Sequence, residues 1–406
     1  MAGSWRRLLL LLASACHTAA PSPAPDAGST RVNASDVPLD GLSHDDIARF
    51  LDGDALFDLA FRPADGVGPL YIRTACSACH DHGSRGPGLV EKMAMVEADG
   101  VTAAADQSPL AYGHTVREGV TAGATTPITP PALPGVKLSL RVGPPVLGRG
   151  YVEAVDDAEL VRLADAQATR SDGIHGKLAR ATFASVPNPD PTFGGYQQGQ
   201  AVIGRFGLKA RIAALDDFTA DAFQGDMGLT TPMRPTELAN PDRLADDQRP
   251  GVDLDQDRID RIAFYLRRIA IPLRVGLTEA GAALFTQAAC AACHVPALRT
   301  RASYPIPELA GIDAPIYSDL LLHDMGAALA DGLSDGLTDA GASGAAWRTA
   351  PLIGLRFARS YLHDGRAHSL AEAVLAHDGE ARGARDAFQA LAPADQRTLL
   401  DFVLAL

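Results

Sequence analysis

Cysteine is scarce in this sequence. Its 406 residues include five, four of them in two close pairs, Cys76 with Cys79 and Cys290 with Cys293, which leaves Cys16 alone near the N-terminus. Nothing remains from which to build a structural disulfide, and a catalyst of thiol–disulfide exchange would need a free pair. Basic residues are also in short supply, 36 against 49 acidic ones, for a formal net charge of −13. That sign argues against nucleic acid and against an anionic membrane surface as partners. Long apolar runs are missing too: beyond the N-terminus none approaches the ~18 residues a spanning helix needs. What is present is bulk, since 47% hydrophobic content and a mean hydropathy near zero describe a soluble globular chain long enough for two or three domains.

The cysteine pairs share one pattern. Cys76-Ser77-Ala78-Cys79-His80 and Cys290-Ala291-Ala292-Cys293-His294 each set two thiols three positions apart with a His directly behind them. Thiols so spaced can add to the two vinyl groups of one porphyrin, with the following His held beneath the ring as an axial iron ligand. Zinc and redox dithiols also use Cys-x-x-Cys, but the trailing His occurs both times and neither pair has a zinc-type partner pair nearby. The motifs therefore imply two covalent haems c, with His80 and His294 as proximal ligands.

Residues 1–15 read as an export signal: Arg6-Arg7, an apolar run from Leu8 to Ala13, then small residues before Cys16. Cleavage after Ala15 leaves Cys16 either as a stray thiol or as the lipidated first residue of a bacterial lipoprotein, and only lipidation gives the odd cysteine a task. Residues 16–40, rich in Ala, Pro and Ser, follow as a tether. The expected location is the periplasm or cell envelope, with the N-terminal lipid as the only membrane contact.

Order is expected from Gly41, with Ser43 capping a helix. Gly53-Asp54-Ala55-Leu56-Phe57 before the first motif echoes Gly281-Ala282-Ala283-Leu284-Phe285 before the second, as two similar units would, the first carrying a 14-residue insertion. Residues 121–150 are dense in Pro and Gly and read as loop. Helices follow from Asp156, from Asp216 and from Asp255, the last closed by Pro272, where the domain boundary is placed. Asp253, Asp255 and Asp257 resemble the start of a calcium loop, but Arg258 stands at the glycine position and Phe264 at the closing glutamate, so helix capping is the better reading and calcium is unsupported. Thr278 caps the helix that delivers the second cysteine pair, and Ser369 to Glu372 is a capping box whose helix carries His377 on its apolar face.

The sixth position on each iron separates a carrier from a catalyst: filled, it only passes electrons; open or displaceable, it binds an oxidant. Met325 and His377 are the candidates at the second haem. At the first, His114 leads, as displaceable ligand, distal acid/base or surface residue, with His82, Met93, Met95 and Met227 behind it; His82 is too near the motif to reach the opposite face. Splitting a peroxide needs a proton acceptor and donor above the iron, and Glu153 is the carboxylate candidate, against an ordinary solvated glutamate.

At these residues the chain resembles the bacterial di-haem oxidoreductases, some labelled thiol oxidoreductases, relatives of the di-haem cytochrome c peroxidases. The likeness runs through Pro315 to Gly326, Trp347 to Leu355, Leu362-His363-Asp364-Gly365-Arg366 and Glu372 to His377. In the N-terminal half it rests on the first cysteine motif, Tyr112-Gly113-His114, Val152-Glu153-Ala154, Gly204 to Ala210 and Gly225-Asp226-Met227-Gly228. The resemblance implies a mainly α protein of two cytochrome-c-like haem domains with long loops and little β, residues 41–272 and 273–406. It implies that electrons enter at the C-terminal haem and that peroxide is reduced at the N-terminal one. The relatives' sixth-ligand Met falls nearest His377 here, which favours His377 over Met325. Their Trp between the haems has no counterpart, Trp347 lying in the C-terminal motif instead. The reading is an exported, peroxidase-like di-haem oxidoreductase with His114 and Glu153 as distal groups, served by a small electron-donor protein or quinol-linked cytochrome and taking a small-molecule oxidant. The rivals are a di-haem electron carrier without a substrate site and a haem-bearing accessory lipoprotein.

Overall fold

The computed structural model describes residues 36–80, 88–121, 123–245, 250–337 and 343–406; the export signal, Cys16, most of the tether and His82 lie outside them. Helix makes up 33% and strand 14%, the strands pairing only two by two among the described residues, so helices carry the scaffold. They are α1 (His44–Asp58), α2 (Arg149–Ala154), α3 (Asp157–Ala168), α4 (Leu215–Met227), α5 (Gln256–Arg268), α6 (Glu279–Gln287), α7 (Leu370–Leu375), α8 (Arg382–Ala390) and α9 (Pro393–Ala405). Five start where a short polar side chain precedes them: Ser43, Asp156, Asp255, Thr278 and Ser369 each accept a backbone N–H of the first turn, satisfying a donor the helix cannot. Asp255 is thus a cap, and Asp253 accepts from Thr230 instead, so the aspartates at 253 and 255 serve different segments.

The stretch 121–150 departs from the loop expected of it. Val136–Val142 is a strand paired antiparallel with Leu89–Met95, from Leu89 opposite Val142 to Met95 opposite Val136. The prolines and glycines that suggested loop flank this strand and end it at Gly143-Pro144; they do not interrupt it.

Two cores organise the helices. The larger packs α1, α4 and α5 through Phe50, Phe57, Phe223, Ile262 and Tyr265, and it also takes in Leu298, Ile316, Leu322 and Ile353 from beyond residue 272. The smaller joins α6, α8 and α9 through Phe285, Phe388, Leu399 and Phe402 and reaches Cys290. Each core therefore borders one cysteine motif, and the larger is built from both halves of the chain.

Candidate haem sites

The first motif is a single tight turn. The N–H groups of Cys79 and His80 both donate to the Cys76 carbonyl at 3.0 Å, which gathers the two thiols and the imidazole at one end of a cavity of about 810 Å³. Its walls are mainly apolar, with Phe57 from α1, Phe218 and Phe223 from α4, Ile262 from α5 and Phe206 from the loop between. Two glycines let the chain close over Cys79. A Cβ on Gly88 would stand 2.4 Å from its Sγ, and one on Gly143 2.8 Å from its carbonyl oxygen.

Burial holds the His80 pKa at about 4, with Arg149 adding to the effect, so the ring is neutral at pH 7 as a metal ligand must be. Its Nδ1 is buried without a full hydrogen bond, the Pro144 carbonyl being the acceptor it faces. Burial, with Asp226 nearby, pushes the Cys76 and Cys79 thiols up to about 12 and 11. Both thiols are therefore protonated at pH 7. Arg149 and Arg348 also line the cavity, each 6% exposed, and among the described residues neither has a carboxylate within ion-pair distance. Burial lowers them to about 9 and 10, and a buried cation left unpaired in this way calls for an anion. Apolar walls, a neutral imidazole, two thiols and two unpaired guanidiniums match the faces, iron, vinyls and carboxylates of a haem.

The second motif repeats the turn, His294 N–H donating to the Cys290 carbonyl at 2.9 Å. His294 Nδ1 lies 3.1 Å from the Tyr317 carbonyl and His377 Nδ1 2.7 Å from the Ala373 carbonyl. A carbonyl can only accept, so both rings carry their proton on Nδ1 and present Nε2 bare, as haem ligands do. Burial lowers both pKa values, that of His294 to about 4 with His377 as its next influence, so the two rings lie within electrostatic reach of each other. Met325, the alternative, follows strand Leu322–Asp324, its N–H bonded to the Ala345 carbonyl.

Beside Cys293, His323 is clamped between Asp319 (3.0 Å) and Glu380 (2.8 Å), and Gln167 donates to the same Asp319 oxygen. Cys293, Asp319 and His323 put donor atoms within 4.8 Å of one another, the one such group of three among the described residues. A metal there would compete with a porphyrin for Cys293.

Neither proposed distal group lines the first cavity. His114 is half-buried, its Nδ1 bonded to the Met93 carbonyl, while Met93 belongs to a small separate core. Glu153 is fully buried and its carboxylate is consumed: Arg267 donates twice at 2.6 and 3.0 Å, Leu215 N–H at 2.7 Å and Tyr304 hydroxyl at 2.7 Å. Arg267 outweighs the burial that would raise its pKa, and Glu153 stays charged as a brace between α2, α4, α5 and Tyr304. The cavity's own carboxyl is Asp226, at the end of α4 beside Met227, with its pKa raised by burial against the pull of Lys92. Spacing alone gave no sign of this. The signal was a carboxylate in Gly225-Asp226-Met227-Gly228, a stretch already part of the family likeness.

Residues 133–406, two thirds of the chain, match the family model described as "Di-haem oxidoreductase, putative peroxidase". The chain belongs to the di-haem oxidoreductase family. The matched region contains the second cysteine motif and both Asp226 and Arg348, and it begins after the first motif. No curated protein matches the sequence. Among solved structures it is similar to hydrazine synthase of Kuenenia stuttgartiensis, at 14% identity over 100% of each chain with a TM-score of 0.39. It is similar to the di-haem peroxidase BthA of Burkholderia thailandensis, at 16% identity over 88% of this chain and 85% of that one, TM-score 0.41. It is similar as well to a MauG-like protein associated with microbial copper homeostasis, at 16% identity over 92% of each, TM-score 0.39.

Proposed function

We propose that this di-haem oxidoreductase is a peroxidase of the cell envelope that takes electrons at the haem on Cys290 and Cys293 and reduces peroxide at the haem on Cys76 and Cys79. Both groups are held as thioethers, in cytochrome-c-like units of residues 41–272 and 273–406. The observation that carries the reading is an asymmetry. The second site offers two half-buried imidazoles with bare Nε2, His294 and His377, whereas the first offers one imidazole, His80, in a cavity whose walls also hold the Asp226 carboxyl and the weaker ligand Met227. Two imidazoles make a filled, electron-passing centre; one leaves a position for an oxidant.

Haem bound in the first cavity supplies one-electron redox chemistry and a coordination position. The chain does the rest. Phe57, Phe218 and Phe223 would keep water from a haem held there, and Arg149 and Arg348 would bind its carboxylates. Asp226, which burial makes a stronger base than an ordinary carboxylate, takes a proton from one peroxide oxygen and returns it to the other as the bond between them breaks. Two electrons and two protons per peroxide yield two waters. Lipidation at Cys16 fixes the protein to the membrane, where a small donor protein or quinol-linked cytochrome reaches it. Labelled palmitate should enter the wild type and be absent from Cys16→Ser; equal labelling of both discards the anchor.

The optical spectrum after half-reduction tests the function. A high-spin fraction that shifts on adding peroxide or cyanide is expected, and two unresponsive low-spin haems would leave an electron carrier in its place. His377→Gly should convert the second haem to high spin while the first keeps its spectrum; an unchanged second haem removes His377 from the iron.

A further inference from the structure

We infer that electrons pass between the two haems through a hydrogen-bonded relay of Tyr317, Ser318, Thr349 and Arg348, a route that rests on the di-haem reading above. The path begins at the ligand of the second iron. His294 Nδ1–H donates to the Tyr317 carbonyl at 3.1 Å. The next residue, Ser318, is completely buried, and its hydroxyl donates to the Thr349 carbonyl at 2.7 Å. Arg348 Nη1 donates to that same oxygen at 3.2 Å, and the Arg348 guanidinium lines the first cavity. From imidazole to cavity there are thus three hydrogen bonds and the few covalent bonds between the Tyr317 carbonyl and the Ser318 hydroxyl.

The surroundings hold this path rigid. Ser318 and Asp319 N–H groups donate to the Val295 and Cys293 carbonyls at 2.9 Å, which locks the segment to the second motif, while Thr349 N–H donates to the Leu321 carbonyl at 2.9 Å. Arg348 N–H donates to the Leu208 carbonyl at 3.0 Å, and its Nε to the Gly207 carbonyl at 3.0 Å, fixing the other end against the first site. Bonded, water-excluded contacts carry electronic coupling better than gaps, and polarised hydrogen bonds in series reinforce one another. His294 would hold the donor haem and His80 the acceptor, and the relay would pass one electron from the one to the other with no proton crossing and no bond made or broken. Trp347, next along the strand, is a poor stepping stone. Lys209 Nζ sits 4.0 Å from its ring centroid and His363 stacks on it at 3.9 Å, and a cation on the indole face opposes removal of an electron.

Flash photoreduction of the purified two-haem protein, with redox titration of each haem, tests this. Ser318→Ala should slow electron transfer between the haems, with both haems kept and both potentials unmoved. Ser318→Thr, which keeps the hydroxyl, should restore the rate, and Trp347→Phe should leave it as in the wild type. A wild-type rate in Ser318→Ala, or a loss in Trp347→Phe as large as in Ser318→Ala, overturns the relay. If Ser318→Ala fails to hold its haems, Arg348→Lys decides: it keeps the charge and loses the bond to Thr349, and an undiminished rate overturns the relay equally. A wild type with fewer than two haems, or with no transfer between them, sinks the proposed function itself.

Discussion

Asp226→Asn is expected to cut peroxide turnover roughly 100- to 10,000-fold with both haems still bound, the range for losing a positioned proton-transfer group. The amide keeps the size and the hydrogen-bonding oxygen of the carboxyl at the end of α4, so the cavity should keep its shape; only the exchangeable proton goes. Burial raises the Asp226 pKa, with Lys92 opposing and Asp221 assisting, so the wild type should show an ionisation in its rate profile above the usual carboxylate range. That ionisation should vanish in the variant. Stopped-flow mixing with peroxide reads both effects, and a variant with wild-type turnover would leave proton transfer to some other group. His114→Ala serves as the contrast: His114 lies outside the first cavity, and its loss should change turnover little.

The largest effect on stability is expected at Glu153. Glu153→Gln leaves the Arg267 guanidinium, buried among α2, α4 and α5, with Asp216 at 3.6 Å as its nearest carboxylate and the Phe193 ring 3.8 Å away. Breaking a buried pair by removing one partner costs about 3–5 kcal/mol because the other charge stays behind. A denaturant titration of the holoprotein should register a loss of that size, and a change below about 1 kcal/mol would mean that water or Asp216 compensates. The dependence on pH follows from the lowered pKa. Glu153 stabilises the fold above its ordinary value of 4.5 and ceases to do so as pH falls through its lower folded value, so wild type and variant should converge in acid.

Local chemistry was readable in the sequence. Ser43, Asp156, Asp255, Thr278 and Ser369 announce helix starts because a cap acts within a few residues of itself, and the cysteine motifs announce their cofactor for the same reason. His377, three residues past Val374 on an apolar face, lies as the sequence places it, just beyond the helix Leu370–Leu375. What failed depends on partners distant in the chain. Glu153 was expected as a distal carboxylate or a solvated glutamate, and only the fold brings Arg267 and Tyr304 onto it. Asp226 stood in the sequence only as part of the family-like stretch Gly225 to Gly228, and only the fold makes it a cavity wall. Strand Val136–Val142 was hidden because its own alternation, Lys137, Ser139 and Arg141 between apolar residues, was outvoted by the turn formers around it.

The larger core has a consequence for taking the molecule apart. Leu298, Ile316, Leu322 and Ile353 fill space against helices encoded before residue 272. A fragment halted there would lay bare an oily scar, and the remaining piece would carry the matching one, so each is expected to aggregate when expressed singly and to dissolve when the two are co-expressed.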